Sequence, residues 1–336
     1  MRPSVHDASL LAFRGMEESF HPNDPSTSPF GVSTQSFREH MFIPALTCVL
    51  YVGGIAGGMA LMQKKKAWDL RRPLAAWNFF LAIFSLAGAL RTAPRLIYNL
   101  ANHPLQRSIC HAPANDWGAG ACGFWVQLFV LSKFAELLDT AFIVLRKRKV
   151  LFLHWFHHLT VLAYCWHAYA VEAPHALFFV AMNFCVHAAM YFYYGLMAVD
   201  AKPNWLRPGF ITAMQISQMV VGIAVQAAAM RLSGEGCVID RQNTRAGALM
   251  YGAYLALFVK FAYERFVRRT YARGTLMKTM AGVNDEDAPH DLHTFPATRM
   301  VLRALGLRKP AAPGGASTNG ASPNGENGTA ASKKAA

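Results

Sequence analysis

The sequence predicts an all-α polytopic membrane protein with seven transmembrane helices, and three observations carry that prediction. Of 336 residues, 53% are hydrophobic and only 15% are charged, a balance foreign to ordinary soluble domains. Several apolar segments reach the roughly 20 residues that a helix needs to cross a bilayer. The net charge of +14 is placed mostly between those segments. That is the positive-inside pattern of cytosolic loops, with anionic lipid or an anionic cofactor as partner rather than nucleic acid.

Residues 1–40 form a Pro- and Ser-containing leader, expected to be loosely ordered and without a cleavable signal peptide. The first apolar segment, Met41 to Met62, holds overlapping GxxxG spacings at Gly53/Gly57 and Gly54/Gly58. Such spacings let helices approach closely, here expected within the monomer. A basic loop with Lys64, Lys65, Lys66, Arg71 and Arg72 leads to the second segment, whose strongly polar interior residue is Asn78. A polar connection is expected from Arg91 to Ala119. The third segment spans Ala121 to Leu145, and Arg146-Lys147-Arg148-Lys149 makes the next turn. The remaining segments end near Val171, run from His175 to Val199, from Pro208 to Leu232, and from Ala246 to Val267.

Loop charges orient the chain. The first, third and fifth loops and the stretch after Val267 are rich in Lys and Arg, whereas the loop around Glu172 has none. The N-terminus is therefore expected in the lumen and the C-terminus in the cytosol. Three regions follow: a lumenal leader over 1–40, a seven-helix domain over 41–270, and a low-complexity cytosolic tail over 271–336. The tail closes with Lys333-Lys334-Ala335-Ala336, a dilysine pattern that returns proteins to the endoplasmic reticulum membrane, and its Asn327 sequon would stay unused in the cytosol. Six cysteines form no CxxC pair, so no metal centre built on sulfur is expected.

The chemistry is concentrated where charges interrupt apolar helices. A charge at mid-membrane costs about 2.5–3.5 kcal/mol on insertion scales, so it faces a protein-lined cavity. Lys133, Glu136, Asp139 and Thr140 lie in the third segment. His154, His157 and His158 open the fourth at i, i+3, i+4 and share a face. The fifth carries Asn183, His187, Tyr191 and Tyr194 along one stripe, and the sixth carries Thr212, Gln215 and Gln218. At ~1.5 Å per residue, these groups fall about 6–18 Å from the cytosolic ends of their helices. Antiparallel helices thus deliver them to one slab, which implies a buried polar site open to the cytosol. His167, His175 and Tyr193 read as packing residues.

These blocks resemble the ELO family of fatty acid elongases. Lys133-Phe-Ala-Glu136-Leu-Leu-Asp139-Thr140 is similar to its KxxExxDT signature, and His154-Trp-Phe-His157-His158 to its histidine box. Asn183 through Tyr194 and Thr212 through Gln218 are similar to its NxxVHxxMYxYY and TxxQxxQ blocks. All four stand in family order, and the similarity runs from about Arg72 to Arg268. The resemblance implies seven helices around a central acyl tunnel in the endoplasmic reticulum. It also implies condensation of acyl-CoA with malonyl-CoA to 3-oxoacyl-CoA, CoA and carbon dioxide. No cofactor beyond these substrates is implied. The ketoreductase, dehydratase and enoyl reductase of the elongation cycle are expected partners, and a second copy of the chain is a candidate one. Lys149, five residues before the box, with Trp155 inside it, resembles the branch acting on saturated and monounsaturated chains.

On this reading His157 is the expected nucleophile, since Cys165 and Cys185 are poorly placed, and an imidazole can attack a thioester. His187 is its partner, with His154 and His158 as bases or orienters. Asn183, Tyr191, Gln215 and Gln218 are expected to hold thioester and enolate oxygens, and Lys133, Glu136, Asp139 and Tyr194 to line the substrate site. Arg146 and Lys149 lead the candidates for the CoA phosphates, followed by Lys202, Arg207, Lys260 and Arg265. The family's loop cysteines suggest a Cys110–Cys237 disulfide on the lumenal side, with Cys110–Cys122 as the alternative. A di-iron desaturase or hydroxylase also uses HxxHH boxes but needs about eight histidines in repeats, and this chain has one box. A transporter or receptor lined by polar groups is the non-catalytic rival.

Overall fold

The computed structural model describes residues 13–234, 237 and 239–268; the dilysine motif, the sequon and the low-complexity tail lie outside the described residues. The described chain is helical, and its one β contact is an isolated bridge between Ser233 and Cys237. The helices are α1 (Thr34–Glu39), α2 (Phe42–Gln63), α3 (Arg71–Asn102), α4 (Leu105–Cys110), α5 (Gly120–Ala135), α6 (Leu138–Leu145), α7 (Phe152–Ala170), α8 (Ala176–Ala198), α9 (Pro208–Leu232) and α10 (Arg241–Ala262).

Five helices are long and apolar enough to cross a membrane: α2, α3, α8, α9 and α10, the last continued to Val267. The expected third and fourth spans do not qualify by length and composition, for two separate reasons. The third is broken into α5 and α6 at Glu136–Leu137, where the hydrogen bonds tighten to i→i+3 through Leu137 N–H to Phe134 C=O (3.3 Å) and Asp139 N–H to Glu136 C=O (3.1 Å). The fourth, α7, is diluted by the same histidines that mark it as functional. The second span also differs from expectation. It runs through Arg91 and Pro94 to Asn102, 32 residues, because the polar side chains beyond Leu90 find partners at the end of the bundle.

Packing closes six elements into a ring: α3 on α8, α8 on α9, α9 on α10, α10 on α7, α7 on α5, and α5 back on α3. The α3–α8 seam is the most extensive. It is close because Gly88 stands where any Cβ would lie 2.4 Å from the Phe184 ring. Phe184 in turn meets Phe84, Trp125 and Phe129 edge-on. α2 lies outside the ring against α6 and α7, with only 11% of its apolar window buried. The expectation that its glycines pack within the monomer is corrected accordingly. Gly53, Gly54 and Gly57 have nothing within reach of a Cβ, and only Gly58 abuts a neighbour, Val144.

The leader is also better ordered than its composition suggests over residues 13–40. Phe20 and Phe37 are buried with Trp117, Phe124, Trp125, Trp166 and Tyr169 at the end of the bundle remote from the Lys/Arg-rich turns. Buried Glu17 accepts from Arg91 (2.9 Å) and from the Trp125 indole N–H (2.5 Å). Ser28 donates to Gln127 at 2.6 Å, and Arg38 pairs with Glu172 at 2.9 Å. At the same end Cys110 and Cys237 are disulfide-bonded, with Cα atoms 4.8 Å apart, while Cys122 is free. The bond ties α4 to the segment following α9.

Candidate active site

Inside the ring a cavity of about 480 Å³ reaches the end of the bundle where the basic turns lie. His154, His157 and His158 from α7 face it, with Asn183, His187, Tyr191 and Tyr194 from α8, Gln215 and Gln218 from α9, and Asp139 from α6. Four sequence blocks separated by as many as 79 residues therefore meet at one wall. α7 supplies three imidazoles because its histidines fall one helical turn apart. The ring centroids of His154 and His158 are 4.5 Å apart and those of His157 and His158 are 5.5 Å apart.

A shell of hydrogen bonds holds these groups. The Thr140 hydroxyl pairs with His154 Nε2 at 2.9 Å and with the Tyr51 hydroxyl at 2.7 Å. Both Asp139 oxygens are occupied: the Trp77 indole N–H donates to one at 2.7 Å and the Tyr191 hydroxyl to the other at 2.8 Å. Tyr254 on α10 hydrogen-bonds Thr160 at 2.6 Å and donates to the His157 carbonyl at 3.3 Å, with its ring centroid 4.9 Å from the imidazole. Such packing restricts rotamers, which a site that must position reactants requires.

The break in the third span explains how neighbouring residues serve different partners. Glu136 turns toward Lys133 and α8, Asp139 toward Trp77 and Tyr191, and Thr140 toward His154. A continuous α-helix would set Glu136 and Thr140 one above the other. A tightened turn in mid-helix commonly marks such a functional site.

Two parts of the expected site lie elsewhere. Lys133 and Glu136 are buried but do not line the cavity; they pair with each other at 2.6 Å behind its wall. Both side chains are buried and each neutralises the other's charge, so neither is free to reach a ligand. Lys149 is exposed and off the cavity. The turn reverses at Lys147, which has a left-handed φ of 52°, and Arg148 reaches the rim instead, beside Arg146 and Arg71. Lys202 donates to the carbonyls of Pro203 and Leu206. It is absent from the cavity lining, as are Arg207, Lys260 and Arg265.

Sequence reasoning missed Trp77, Tyr51 and Tyr254. An aromatic residue in an apolar span carries no mark that separates a lipid-facing ring from one reaching inward. Asn78, flagged as the polar residue of the second span, does line the cavity, and Arg71 joins it from the basic loop. Tyr193 packs with Leu206 and Ile211, and His167 pairs with Asn243 at 3.0 Å, both away from the cavity wall. Neither Cys165 nor Cys185 is at the wall; Cys165 borders a separate apolar pocket, and Cys185 is exposed on the outer face of α8. Among the described residues no group of three or more His, Cys, Asp or Glu side chains is arranged to hold a metal ion. The histidines instead point into the cavity side by side.

Comparison with known proteins agrees with the motifs. Residues 36–273 match the ELO family, described as the GNS1/SUR4 family. A relative from Drosophila melanogaster named "Very long chain fatty acid elongase 6" is 42% identical over 224 residues, 66% of this chain and 71% of the relative. The human protein of that name is 40% identical over 252 residues, covering 75% of this chain and 91% of its own. "Putative fatty acid elongase 3" of Caenorhabditis elegans is 38% identical over 251 residues, 72% and 78% of the two chains. With four motif blocks at one cavity and a family match over most of its length, the chain belongs to the ELO (GNS1/SUR4) family.

Proposed function

We propose that this protein is a fatty acid elongase condensing acyl-CoA with malonyl-CoA, on saturated or monounsaturated chains, through an acyl-histidine. The observation that carries the reading is the composition of the cavity wall: four imidazoles from two helices, the side-chain amides of Asn183, Gln215 and Gln218, and no thiol among the described lining residues. The names of the relatives support fatty acid elongation as the process.

A nitrogen of His157 attacks the thioester carbonyl of acyl-CoA. The C–S bond breaks, CoA leaves as the thiol with the imidazole proton, and an N-acyl-imidazole remains. Malonyl-CoA then binds and loses carbon dioxide. The enolate so formed attacks the acyl carbon, the C–N bond breaks to give 3-oxoacyl-CoA, and the departing imidazole nitrogen takes up a proton from solvent to restore neutral His157. Asn183, Gln215 and Gln218 offer amide donors to the oxyanions of both steps; Tyr191, expected to share that role, gives its hydroxyl proton to Asp139 instead and braces the wall. Arg71, Arg146 and Arg148 stand at the rim, where the CoA phosphates would lie. The leader packed at the far end of the bundle would shield the labile intermediate from bulk water.

In the membrane we place α5–α6 and α7 as the third and fourth of seven spans, their polar groups turned into the ring. The basic turns then face the cytosol and the Cys110–Cys237 bond the oxidising lumen. Lys333 and Lys334 would keep the protein in the endoplasmic reticulum, beside the reductases and dehydratase that process its product.

The test is incubation of purified protein with acyl-CoA alone. Free CoA should appear, with the acyl mass added to the protein, and His157→Ala should abolish both. A requirement for both substrates before any CoA is released overturns the covalent route.

A further inference from the structure

Glu136 presents an unused oxygen to a histidine of the cavity. Its Oε1 accepts from Lys133 Nζ at 2.6 Å and from the Ser132 hydroxyl at 2.9 Å. Its Oε2 is fully buried and has no hydrogen-bond partner among the described residues. Nδ1 of His187, on α8, lies 3.9 Å from that oxygen. A buried carboxylate oxygen without a donor is costly, and a small rotation of His187 would supply one. Lys133 is held in turn over the Phe129 ring, 3.9 Å from its centroid, and 3.5 Å from Asn183 Oδ1. These contacts hold the ammonium in place, and the ammonium holds the carboxylate through Oε1, leaving Oε2 on the side of His187.

We propose that Glu136 is a positioning residue that holds the Nδ1 proton of His187, so that the Nε2 lone pair faces the cavity. The inference rests on the reading that His187 acts in acyl transfer, and it gives the buried Lys133–Glu136 pair a task beyond mutual neutralisation. Lys133 sets the carboxylate's orientation, Glu136 sets the imidazole tautomer, and His187 meets the substrate.

The geometry makes the isosteric amide informative. Lys133 and Ser132 both donate, so in Glu136→Gln the amide oxygen must take the Oε1 place and the NH₂ must face His187. That arrangement favours the opposite tautomer, with the proton on Nε2. Turnover in Glu136→Gln should fall by ~10²–10⁴-fold, with KM for both CoA substrates unchanged. Glu136→Asp, which keeps the charge at a greater distance, should recover part of the loss.

Two controls separate positioning from a structural ion pair. Lys133→Met/Glu136→Leu removes the pair as a unit; it should stay as inactive as Glu136→Gln, and restored turnover overturns the proposal. His187→Ala tests the underlying reading. If it turns over at the wild-type rate, His187 is not in the chemistry and the proposal falls with that reading. If it is inactive while Glu136→Gln is fully active, the proposal alone fails. Should the Glu136 variants not fold, ¹⁵N-histidine spectra of the full wild-type chain decide the matter, with the His187 signal identified by its loss in His187→Gln. A neutral Nδ1–H imidazole is expected, and an Nε2–H imidazole overturns the assignment.

Discussion

Trp77 on α3 donates its indole N–H to Asp139 on α6 at 2.7 Å, across 62 residues of sequence. Tyr191 completes the pair on the other carboxylate oxygen, so the second, third and fifth expected spans are joined at one side chain beside the histidines. Trp77→Phe keeps the ring and removes the donor. The loss of one buried hydrogen bond, leaving its acceptor without that donor, should cost roughly 1–3 kcal/mol of stability. By loosening the wall it should lower turnover by up to ~10²-fold. Thermal unfolding and a malonyl-CoA turnover assay check the two effects, and wild-type turnover would detach Trp77 from the site.

The rim predicts a contrast between adjacent cations. Arg146 and Arg148 border the cavity and Lys149 does not. Arg146→Ser and Arg148→Ser should each raise KM for acyl-CoA and malonyl-CoA with little change in kcat, and should weaken the salt dependence of KM. Lys149→Ser should leave KM where it was.

Two glycine substitutions should part company. In Gly88→Leu the new side chain meets the Phe184 ring at once. Overpacking of this kind costs about 1–3 kcal/mol, and here it forces apart the α3–α8 seam that frames the cavity. Gly53→Leu on the outer face of α2 meets nothing and should be neutral. Unfolding temperature in detergent, alongside activity, reads both.

The Cys110–Cys237 bond closes a loop of 127 residues in sequence separation. Cys110→Ser should therefore lose roughly 2–5 kcal/mol and lower the unfolding temperature. Activity per folded molecule should hold, because the bond lies at the end remote from the histidines. A variant that keeps its stability but loses activity would contradict this.

Membrane character, the approximate helix limits and the identity of most polar cavity residues were determined by the sequence alone. α2, α8 and α9 begin and end within a residue or two of the apolar segments that predict them, because in lipid a backbone must satisfy its own hydrogen bonds and apolar length leaves little choice. The histidine, asparagine and glutamine positions were legible for a related reason. A polar side chain in such a segment is expensive unless it faces a cavity, so its helical spacing reveals which wall it belongs to.

Tertiary structure alone decided which partner each of those groups takes. Glu136 and Thr140 sit at i, i+4, yet the tightened turn at Leu137 sends one to Lys133 and the other to His154. Lys133 and Lys149 look equally available as charges, but one is sealed behind the wall and the other stands outside it. The outward face of α2, the order in the leader and the inward reach of Trp77 and Tyr254 likewise depend on contacts between segments far apart in sequence. Helical periodicity specifies a face. Only the packing of neighbouring helices specifies what that face meets.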